Sequence, residues 1–419
     1  MIHVRLPFAG KIEMVKVREE NLVKATSHRK TGRKTKSLRV IAEALKNPFG
    51  AEVEEFFKPG SNILFLVNDA TRPTPTSLAL KALKPMLRRV EPSFLVATGA
   101  HPPPASPQLK KIFGNFLPKY EGKIRFNLAL EGAFERLCHT RLGTEVRLNV
   151  EALKAGKVFI IGSVEPHYFA GYTGGRKSIM PGVASYASIE QNHRLALSLK
   201  AQPLALRGNP VHEDLEEAAE AYAEGRKIYS LLLVLDSERK VASAFAGSLD
   251  QTFEKATLEA EKLYTVDVEE KADIVLAVVS PPLDLNLYQA HKALEHGRLA
   301  LKDGGIIILV AACPEGVGSR EFHELLRSYR RPEEVLEAVR RRYRLGYHKA
   351  ARIAELSLKA EIWAVTGLEG KLLREAFMKP YRSVQQALDE ALKVKGKDAR
   401  VLILQDAGLT VPRVQPGKR

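Results

Sequence analysis

Asp69, Arg72, His101, His167 and Lys177 are the side chains of this sequence best suited to acid–base chemistry on an anion. They follow stretches of apolar residues, in loops that also contain proline or glycine. Histidine titrates near neutral pH, so two histidines can work as a general acid and a general base. Arginine can hold a carboxylate through two parallel hydrogen bonds. Together these residue types predict an active site for a small anionic substrate.

Each of these loops also has a plain structural interpretation. Asp69 and Arg72 stand in one proline-rich turn and could pair with each other, only shaping that turn. A histidine in a loop is often a surface residue with an ordinary hydrogen bond. Because the pattern recurs after successive predicted strands, the functional interpretation is favoured.

The glycine-rich segment 171–178 (GYTGGRKS) invites comparison with the P-loop of nucleotide triphosphatases. That motif reads GxxxxGK followed by Ser or Thr, and Arg176 stands where its second glycine should be. A nucleotide triphosphatase is therefore not expected. The backbone amides of Gly174 and Gly175, together with the cations of Arg176 and Lys177, still suit a single phosphate or carboxylate.

His193 lies in the stretch IEQNHR that follows the glycine-rich segment. It could be a metal ligand or simply a histidine on a helix surface. The two cysteines, Cys138 and Cys313, are far apart, and no HExxH motif is present, so a conventional zinc site is not expected. The cysteine usage fits a reducing compartment, and the first residues, MIHVRLPFAG, lack the features of a signal peptide. We expect a cytoplasmic protein.

An alternation of short apolar runs and longer amphipathic stretches must position these loops. Continuous apolar strands alternating with helices indicate an α/β fold with largely parallel sheets flanked by helices. In such sheets ligands bind beyond the carboxyl ends of the strands, where these loops lie. Helices are predicted around residues 77–89, 108–113 and 251–264. The predicted strands are 61–67, 92–97, 157–164, 273–279, 306–311, 361–365 and 400–404.

A domain boundary is predicted near residues 266–272, where a charged helix ends in the polar stretch VDVEEKA. We expect an N-terminal catalytic and cofactor-binding domain over 1–270. A C-terminal domain over 271–419 would close the substrate cleft, which makes the active site an interdomain one. The alternation in KIEMVKV, close to the start of the chain, predicts an edge hairpin.

A second group of polar residues follows the predicted strand 273–279 in the C-terminal domain. A helix there would place Tyr288 or Gln289 on the same face as Lys292. These side chains could close over the rim of the first domain.

The composition is that of a globular protein with an excess of basic residues. Of 419 residues, 45% are hydrophobic and 27% charged, and 65 Lys and Arg stand against 49 Asp and Glu, giving +16. Nucleic acid, an anionic surface, an acidic small substrate or a simply solvated surface could each explain that charge. The densest basic run, 28–39, has no aromatic residue to stack a base. No apolar run approaches the length of about 20 residues that a membrane-crossing helix needs.

Several short motifs occur in a fixed order along nearly the whole chain. They are NDATRPTP, ATGAHPPP, EPHYFAGYTGGRKSIMPG, the pair Asn192–His193, YQAHKALEHG and the segment GYHKA at 346–350. Each is short, but their ordered combination is specific and resembles the lactate racemase family of nickel-pincer enzymes. That family usually has arginine after its first catalytic histidine. Here Pro102 stands in that place, which leaves the identity of the substrate open.

The resemblance implies an isomerase, a racemase or epimerase of a lactate-like 2-hydroxy acid. Its cofactor would be nickel held by a pyridinium-3,5-bisthiocarboxylic acid mononucleotide, loaded by cofactor-synthesis proteins. The resemblance further implies a thioamide link at Lys177, a fourth nickel ligand in His193, and His101 and His167 as alternating acid and base. The residues it implies for the cofactor pocket are Asp69, Gly174, Gly175 and Arg176, and those for substrate binding are Arg72, Tyr288, Gln289 and Lys292.

The chemistry of a 2-hydroxy acid agrees with this set of residues. Its α-hydrogen is a very weak acid, so transfer of hydride to a cofactor, while a histidine takes the hydroxyl proton, is the easier route. Two histidines are needed because the hydroxyl groups of the two enantiomers point to different sides. A basic anion- or nucleic-acid-binding protein without this chemistry is the alternative. A nicotinamide-dependent dehydrogenase is disfavoured because no GxGxxG follows a predicted strand.

Overall fold

The computed structural model describes residues 1–31, 36–50 and 53–415, which form two compact units. The central unit is Arg29–Leu263, and the terminal unit combines Met1–His28 with Tyr264–Arg419. This division differs from the predicted segments in two respects. The N-terminal segment Met1–His28 belongs with the C-terminal part of the chain, and the later boundary follows Leu263, a few residues before the predicted one at 270. Residues 32–35 of the basic run lie outside the described residues.

Strands and helices are numbered along the chain. The strands are β1 (Ile2–Phe8), β2 (Lys11–Val17), β3 (Leu22–Thr26), β4 (Asn62–Asn68), β5 (Glu91–Ala97), β6 (Ile124–Phe126), β7 (Phe134–His139), β8 (Glu145–Asn149), β9 (Lys157–Ser163), β10 (Pro166–His167), β11 (Gly171–Tyr172), β12 (Lys227–Leu235), β13 (Val241–Gly247), β14 (Thr265–Val268), β15 (Ala272–Val278), β16 (Leu301–Ala311), β17 (Glu361–Thr366), β18 (Met378–Pro380), β19 (Val401–Leu404) and β20 (Val411–Val414). The α-helices are α1 (Ser37–Lys46), α2 (Val53–Phe56), α3 (Thr76–Ala82), α4 (Lys84–Leu87), α5 (Ser106–Phe113), α6 (Leu117–Tyr120), α7 (Val150–Lys154), α8 (Tyr186–Arg194), α9 (Pro210–Ala223), α10 (Leu249–Tyr264), α11 (Leu287–Gly297), α12 (Arg320–Arg327), α13 (Pro332–Arg341), α14 (Tyr347–Ser357), α15 (Gly370–Glu375) and α16 (Val384–Lys395). Short 3-10 helices lie at Glu19–Asn21, Gly114–Phe116, Glu121–Lys123, Gly175–Ser178, Leu195–Leu197 and Arg298–Ala300.

The main sheet of the central unit has, among the described residues, six strands in the order β13-β12-β9-β4-β5-β6. All pairs are parallel except β12 with β13. The continuous apolar runs are buried, as parallel strands require. Phe65, Phe94 and Phe159 pack in the core, with ring centroids 5.1 and 5.2 Å apart. This sheet confirms the three strands predicted in the first half of the chain.

The main sheet of the terminal unit is parallel throughout, and within the described ranges its order is β18-β17-β16-β15-β19-β3. β3 comes from the start of the chain and pairs with β19. The predicted hairpin, β1 with β2, buries Val4, Leu6, Val15 and Val17 in the core of the same unit. Burial of this apolar face explains why the N-terminal segment joins the terminal unit. The predicted α/β class with largely parallel sheets is confirmed.

The helix predicted over 77–89 is divided in two. α3 ends at Ala82, and the four-residue α4 begins at Lys84 with Pro85 in its first turn. Proline has no N–H to donate to the preceding turn, and its ring clashes with a continuing helix, so the longer helix is interrupted here. In the described parts of the chain no helix is both long and apolar enough to cross a membrane.

Candidate active site

Asp69 and His101 meet at the carboxyl ends of two neighbouring strands. β4 and β5 pair in register as far as Asn68 and Ala97, so the loops that follow them start side by side. His101 closes a turn in which its backbone N–H donates to the carbonyl of Thr98. Its Nδ1 atom lies 2.7 Å from the Oδ2 atom of Asp69. This direct bond joins two loops that the sequence pattern placed only at a common edge of the sheet.

The Asp69 carboxylate is buried and bonded on both oxygens. Its Oδ1 atom accepts from the backbone N–H and the hydroxyl of Thr71. Burial by itself would raise the pKa of Asp69, but bonds from His101 and Thr71 and the charges of His101 and Arg72 together lower it below its ordinary value. An ionised Asp69 accepts the Nδ1 hydrogen of His101, which leaves Nε2 able to take a proton. The His101 side chain is 40% exposed, so a ligand can reach it.

Arg72 forms its ion pair with an acid of another loop. Its Nη1 atom lies 3.7 Å from the Oε1 atom of Glu165, a buried residue shortly after β9. Thr74 links the same loops, because its Oγ1 atom lies 2.8 Å from both Asn68 Oδ1 and Ser163 Oγ. Glu165 was missed in the sequence analysis, although an acid that closely follows a buried strand is the signal that identified Asp69.

Phe169 is in ring contact with three of the predicted site residues. Its ring centroid lies 4.5 Å from that of His167 and 5.0 Å from that of His193, and the Lys177 Nζ atom lies 5.3 Å from it. We call these four residues the Phe169 cluster. Phe169 occurs within one of the family motifs but had no predicted role, because nothing in one sequence marks a phenylalanine as a shared contact.

The local backbone fixes the orientation of His167 within the cluster. β10 and β11 form a tight antiparallel pair in which His167 lies opposite Gly171. The backbone N–H of Ala170 donates to His167 Nδ1 at 3.3 Å. A neutral imidazole whose Nδ1 accepts a hydrogen bond carries its hydrogen on Nε2. His167 is thus arranged to donate from Nε2, the reverse of His101.

The glycines before Lys177 are required by close approaches of the backbone. Gly174 has φ +79°, and a Cβ there would lie 2.7 Å from the carbonyl oxygen of Ser163. Gly175 has φ +52°, and its Cβ would lie 2.7 Å from Phe253. Only glycine adopts such conformations at low cost in a crowded site. The 3-10 turn that carries Lys177 therefore packs directly against the end of β9.

Arg176 is held by acids of the central unit. Its Nη2 atom lies 3.0 Å from both Glu216 Oε1 and Asp250 Oδ1, and its guanidinium lies 4.9 Å from the Phe253 ring centre. These contacts anchor the turn next to Lys177. A direct contact between Arg176 and a cofactor stays a prediction.

Tyr288, Gln289 and Lys292 lie on α11 of the terminal unit, whose N-terminus Asn286 caps by accepting from the Gln289 N–H. This confirms the predicted helix. Tyr288 is closely packed: Cβ atoms added at Gly318 and Gly346 would lie 2.8 and 3.7 Å from its side chain. Lys349, from the GYHKA motif, also contacts it. Binding of substrate by the three residues stays a prediction.

The residues near Lys177 fit the cofactor that the resemblance implies. That cofactor would be linked to one amine and would bind one imidazole of the protein. Lys177 and His193 both contact the Phe169 ring. Among the described residues, no group of three or more His, Cys, Asp or Glu side chains could hold a metal ion. His193 would hold the metal of such a cofactor through one ring nitrogen.

A largely parallel α/β fold brings an Asp-bound histidine, a second histidine and an arginine to loops that follow its strands, a combination that suits an enzyme. Residues 9–203 match the lactate racemase N-terminal domain, and residues 267–411 match the lactate racemase C-terminal domain. The chain therefore belongs to the lactate racemase family, an isomerase family, as the resemblance predicted.

Two lactate racemases are similar to this chain over most of their length. That of Thermoanaerobacterium thermosaccharolyticum is 28% identical over 386 residues, 89% of this chain and 90% of the relative. That of Lactiplantibacillus plantarum is 27% identical over 425 residues, 97% and 98% of the two chains. The lactate racemase apoprotein structure from the former organism has a TM-score of 0.90 at 26% identity and covers 98% of this chain and 100% of its own. A Thermotoga maritima protein of known structure shares the fold, with a TM-score of 0.71 at 16% identity, over 90% and 98% of the two chains.

Proposed function

We propose that this protein racemises or epimerises a lactate-like 2-hydroxy acid, with His101 and His167 as the alternating acid and base. The observation that carries the proposal is the opposite hydrogen bonding of the two rings. Asp69 accepts a hydrogen bond from Nδ1 of His101, whereas Nδ1 of His167 accepts one from the Ala170 N–H. One ring is thus prepared to accept a hydroxyl proton at Nε2 while the other is prepared to donate one.

Arg72 would bind the substrate carboxylate. Its side chain is 25% exposed, so the guanidinium has room for a ligand beside its contact with Glu165. The buried Glu165 carboxylate would hold the arginine in place while a second carboxylate approaches. From the family resemblance, Tyr288, Gln289 and Lys292 would complete the contacts to the carboxylate and hydroxyl.

The cofactor would be the nickel-pincer mononucleotide, with Lys177 as the covalent link and His193 as the protein ligand to nickel. When bound, it supplies an electrophilic carbon that accepts a hydride from the substrate and returns it. Gly174 and Gly175 would line the cofactor pocket beside Lys177, whose Nζ atom lies 5.3 Å from the Phe169 ring centre. We further propose that cofactor-synthesis proteins load it and that the enzyme works in the cytoplasm.

The histidines carry the proton chemistry of both directions. For one enantiomer His101 takes the hydroxyl proton at Nε2, and Asp69 stabilises the resulting imidazolium. When the hydroxyl forms again on the other face, His167 gives it the hydrogen of its Nε2 atom. For the other enantiomer the roles are exchanged: Nε2 of His167, having lost its hydrogen, takes the hydroxyl proton, and protonated His101 returns its own from Nε2. The exchange inverts the configuration at C2 with no net change in atoms or electrons.

The test uses protein produced together with cofactor-synthesis proteins, so that the cofactor is present. Optical rotation of enantiopure lactate, and of a panel of other 2-hydroxy acids, reports racemisation. We expect His101→Ala and His167→Ala to lose activity by about 10²- to 10⁴-fold while retaining nickel. The control is His139→Ala, an exposed histidine on β7, which should be fully active.

Intact mass tests the covalent link separately. Wild-type protein should carry the mass of the cofactor, and Lys177→Ala should lack it. A wild-type mass equal to the bare chain after co-production would contradict the link at Lys177. Full racemisation by either histidine variant would contradict the assigned acid and base.

A further inference from the structure

Asn192, the residue before the proposed nickel ligand His193, bonds on both sides of its amide. Its Oδ1 atom lies 3.1 Å from Nδ1 of His193, and its Nδ2 atom donates to Oδ2 of Asp214 at 2.8 Å. Asn192 and Asp214 are both completely buried. A chain of side-chain hydrogen bonds, which we call the Asp214–Asn192 relay, therefore ends on the ring of His193.

Asp214 determines which way the Asn192 amide faces. The hydroxyls of Thr140 and Thr144 donate to its two oxygens, and Thr140 Oγ1 itself accepts from the Thr144 N–H. A carboxylate only accepts hydrogen bonds, so the amide group of Asn192 that faces it must be the NH₂ group. The Val211 carbonyl, another acceptor, lies 3.4 Å from the same nitrogen. The amide oxygen is left to face His193.

The orientation of Asn192 in turn determines where His193 carries its hydrogen. An amide oxygen is an acceptor without a hydrogen, so the Nδ1 atom of His193 must be the donor. In a neutral imidazole the lone pair then lies on Nε2. We propose that the Asp214–Asn192 relay sets His193 in the tautomer whose Nε2 binds the metal; this inference rests on the proposed function, in which His193 ligates nickel. A bond to the other ring nitrogen commonly sets the tautomer of metal-binding histidines.

The relay joins parts of the chain that no local pattern connects. Thr140 and Thr144 lie in the turn between β7 and β8, Asp214 lies on α9, and Asn192 and His193 lie on α8. The Phe169 ring meets the His193 ring at 72° and limits its rotation from another side. Since the relay residues are buried behind His193, their loss should change metal retention and leave the acid–base residues in place.

The first measurement uses apoprotein labelled with nitrogen-15 in its histidines, at about pH 8, where an ordinary imidazole is neutral. The His193 signals are assigned by their loss in His193→Gln. We expect a hydrogen on Nδ1 and an unprotonated Nε2 in the wild type. In Asn192→Leu the acceptor is gone, and the signals should move to those of exchanging tautomers. Gln191→Leu is the control, since this neighbour on α8 bonds to the Glu145 N–H instead.

The second measurement follows nickel release from the loaded enzyme to a chelator. Asn192→Leu should release nickel about 10- to 100-fold faster than the wild type, a usual effect of losing a partner of a ligating histidine. Gln191→Leu should match the wild type. Asp214→Asn, which keeps the shape of the side chain, provides a second variant if Asn192→Leu does not fold.

The outcomes separate this inference from the proposed function. A hydrogen on Nε2 of His193 in wild-type apoprotein overturns the inference without the need for any variant, and racemisation would be untouched by that result. The inference is also overturned if the wild type has the expected tautomer but Asn192→Leu and Asp214→Asn both release nickel at the wild-type rate. If wild-type protein produced together with the cofactor-synthesis proteins contains no nickel, the proposed function is overturned, and with it the metal role of the relay.

Discussion

The ammonium group of Lys349 lies 3.4 Å from the centre of the Tyr288 ring and donates to the Tyr288 carbonyl at 2.6 Å. One cation thus holds both the backbone and the side chain of a residue proposed to bind substrate. Lys349 is buried on α14, and Tyr288 lies in the first turn of α11. The GYHKA motif therefore has a physical connection with the motif YQAHKALEHG, which lies well before it in the chain.

Lys349→Met should weaken substrate binding through Tyr288. Methionine keeps the length of the side chain but removes the charge and the donated hydrogen bond, which we expect to cost about 2 kcal/mol of stability. Steady-state kinetics should show KM raised several-fold with kcat nearly unchanged. The matched control is Lys359→Met, an exposed lysine just beyond α14. A loss of stability with unchanged KM would restrict Lys349 to a structural role.

Asp69→Asn should lower kcat with little change in KM. An asparagine cannot neutralise the imidazolium of His101 and can turn its NH₂ group toward Nδ1, which favours the wrong tautomer. We expect a loss of about 10²- to 10⁴-fold. Thr71→Val, which removes another bond to Asp69 but keeps the bond to His101, should retain most activity. Equal losses in the two variants would show that Asp69 only shapes the turn.

Gly174→Ala should destabilise the turn that carries Lys177. The backbone of residue 174 has φ +79°, which alanine rarely adopts. The added Cβ atom would also lie 2.7 Å from both the Ser163 carbonyl oxygen and the Val164 side chain. We expect a loss of about 1–3 kcal/mol in urea unfolding, with impaired attachment of the cofactor. Gly208→Ala separates the two causes, since it has φ +77° with no atom near its Cβ. If the two variants lose the same free energy of unfolding, the positive φ angle alone explains the effect and the close contacts of Gly174 add nothing.

His212 should make the stability of the central unit dependent on pH. Burial, followed by the charges of Arg176 and Lys177, lowers the pKa of His212 to about 4. In the unfolded chain the residue takes up a proton near its ordinary pKa of 6.5, while the folded protein resists protonation until about pH 4. The unfolded state is therefore favoured as the pH falls between these values, and the stability contribution of neutral His212 is present above them.

The measurement is urea unfolding of the wild type and His212→Gln at several pH values from neutral to about 4. The free energy of unfolding of the wild type should fall more steeply with acidification, by up to about 3 kcal/mol relative to the variant. Equal slopes would mean that His212 is protonated in the folded protein as easily as in the unfolded one.

Local sequence was sufficient for seven strands of the two main sheets and for the loops that carry chemistry, although the apolar strand β12 was missed. Continuous apolar runs such as that of β9 have few alternatives to a buried parallel strand, and polar residues directly after them lie at a known edge of the sheet. Asp69, Arg72, His101 and His167 could therefore be selected from residue types and positions along the chain. The family resemblance added the motifs around Lys177 and His193.

The sequence by itself determined the fold class, seven strands of the two main sheets and most candidate residues, because these depend on the period of apolar residues and on residue types along short segments. Tertiary structure alone decided which side chains touch: Asp69 with His101, Arg72 with Glu165, Asp214 with Asn192, Lys349 with Tyr288. It also decided that the segment Met1–His28 joins the terminal unit. The physical reason is that hydrogen bonds and packing between distant segments follow from how strands pair and cores close, and no local pattern in one sequence records them.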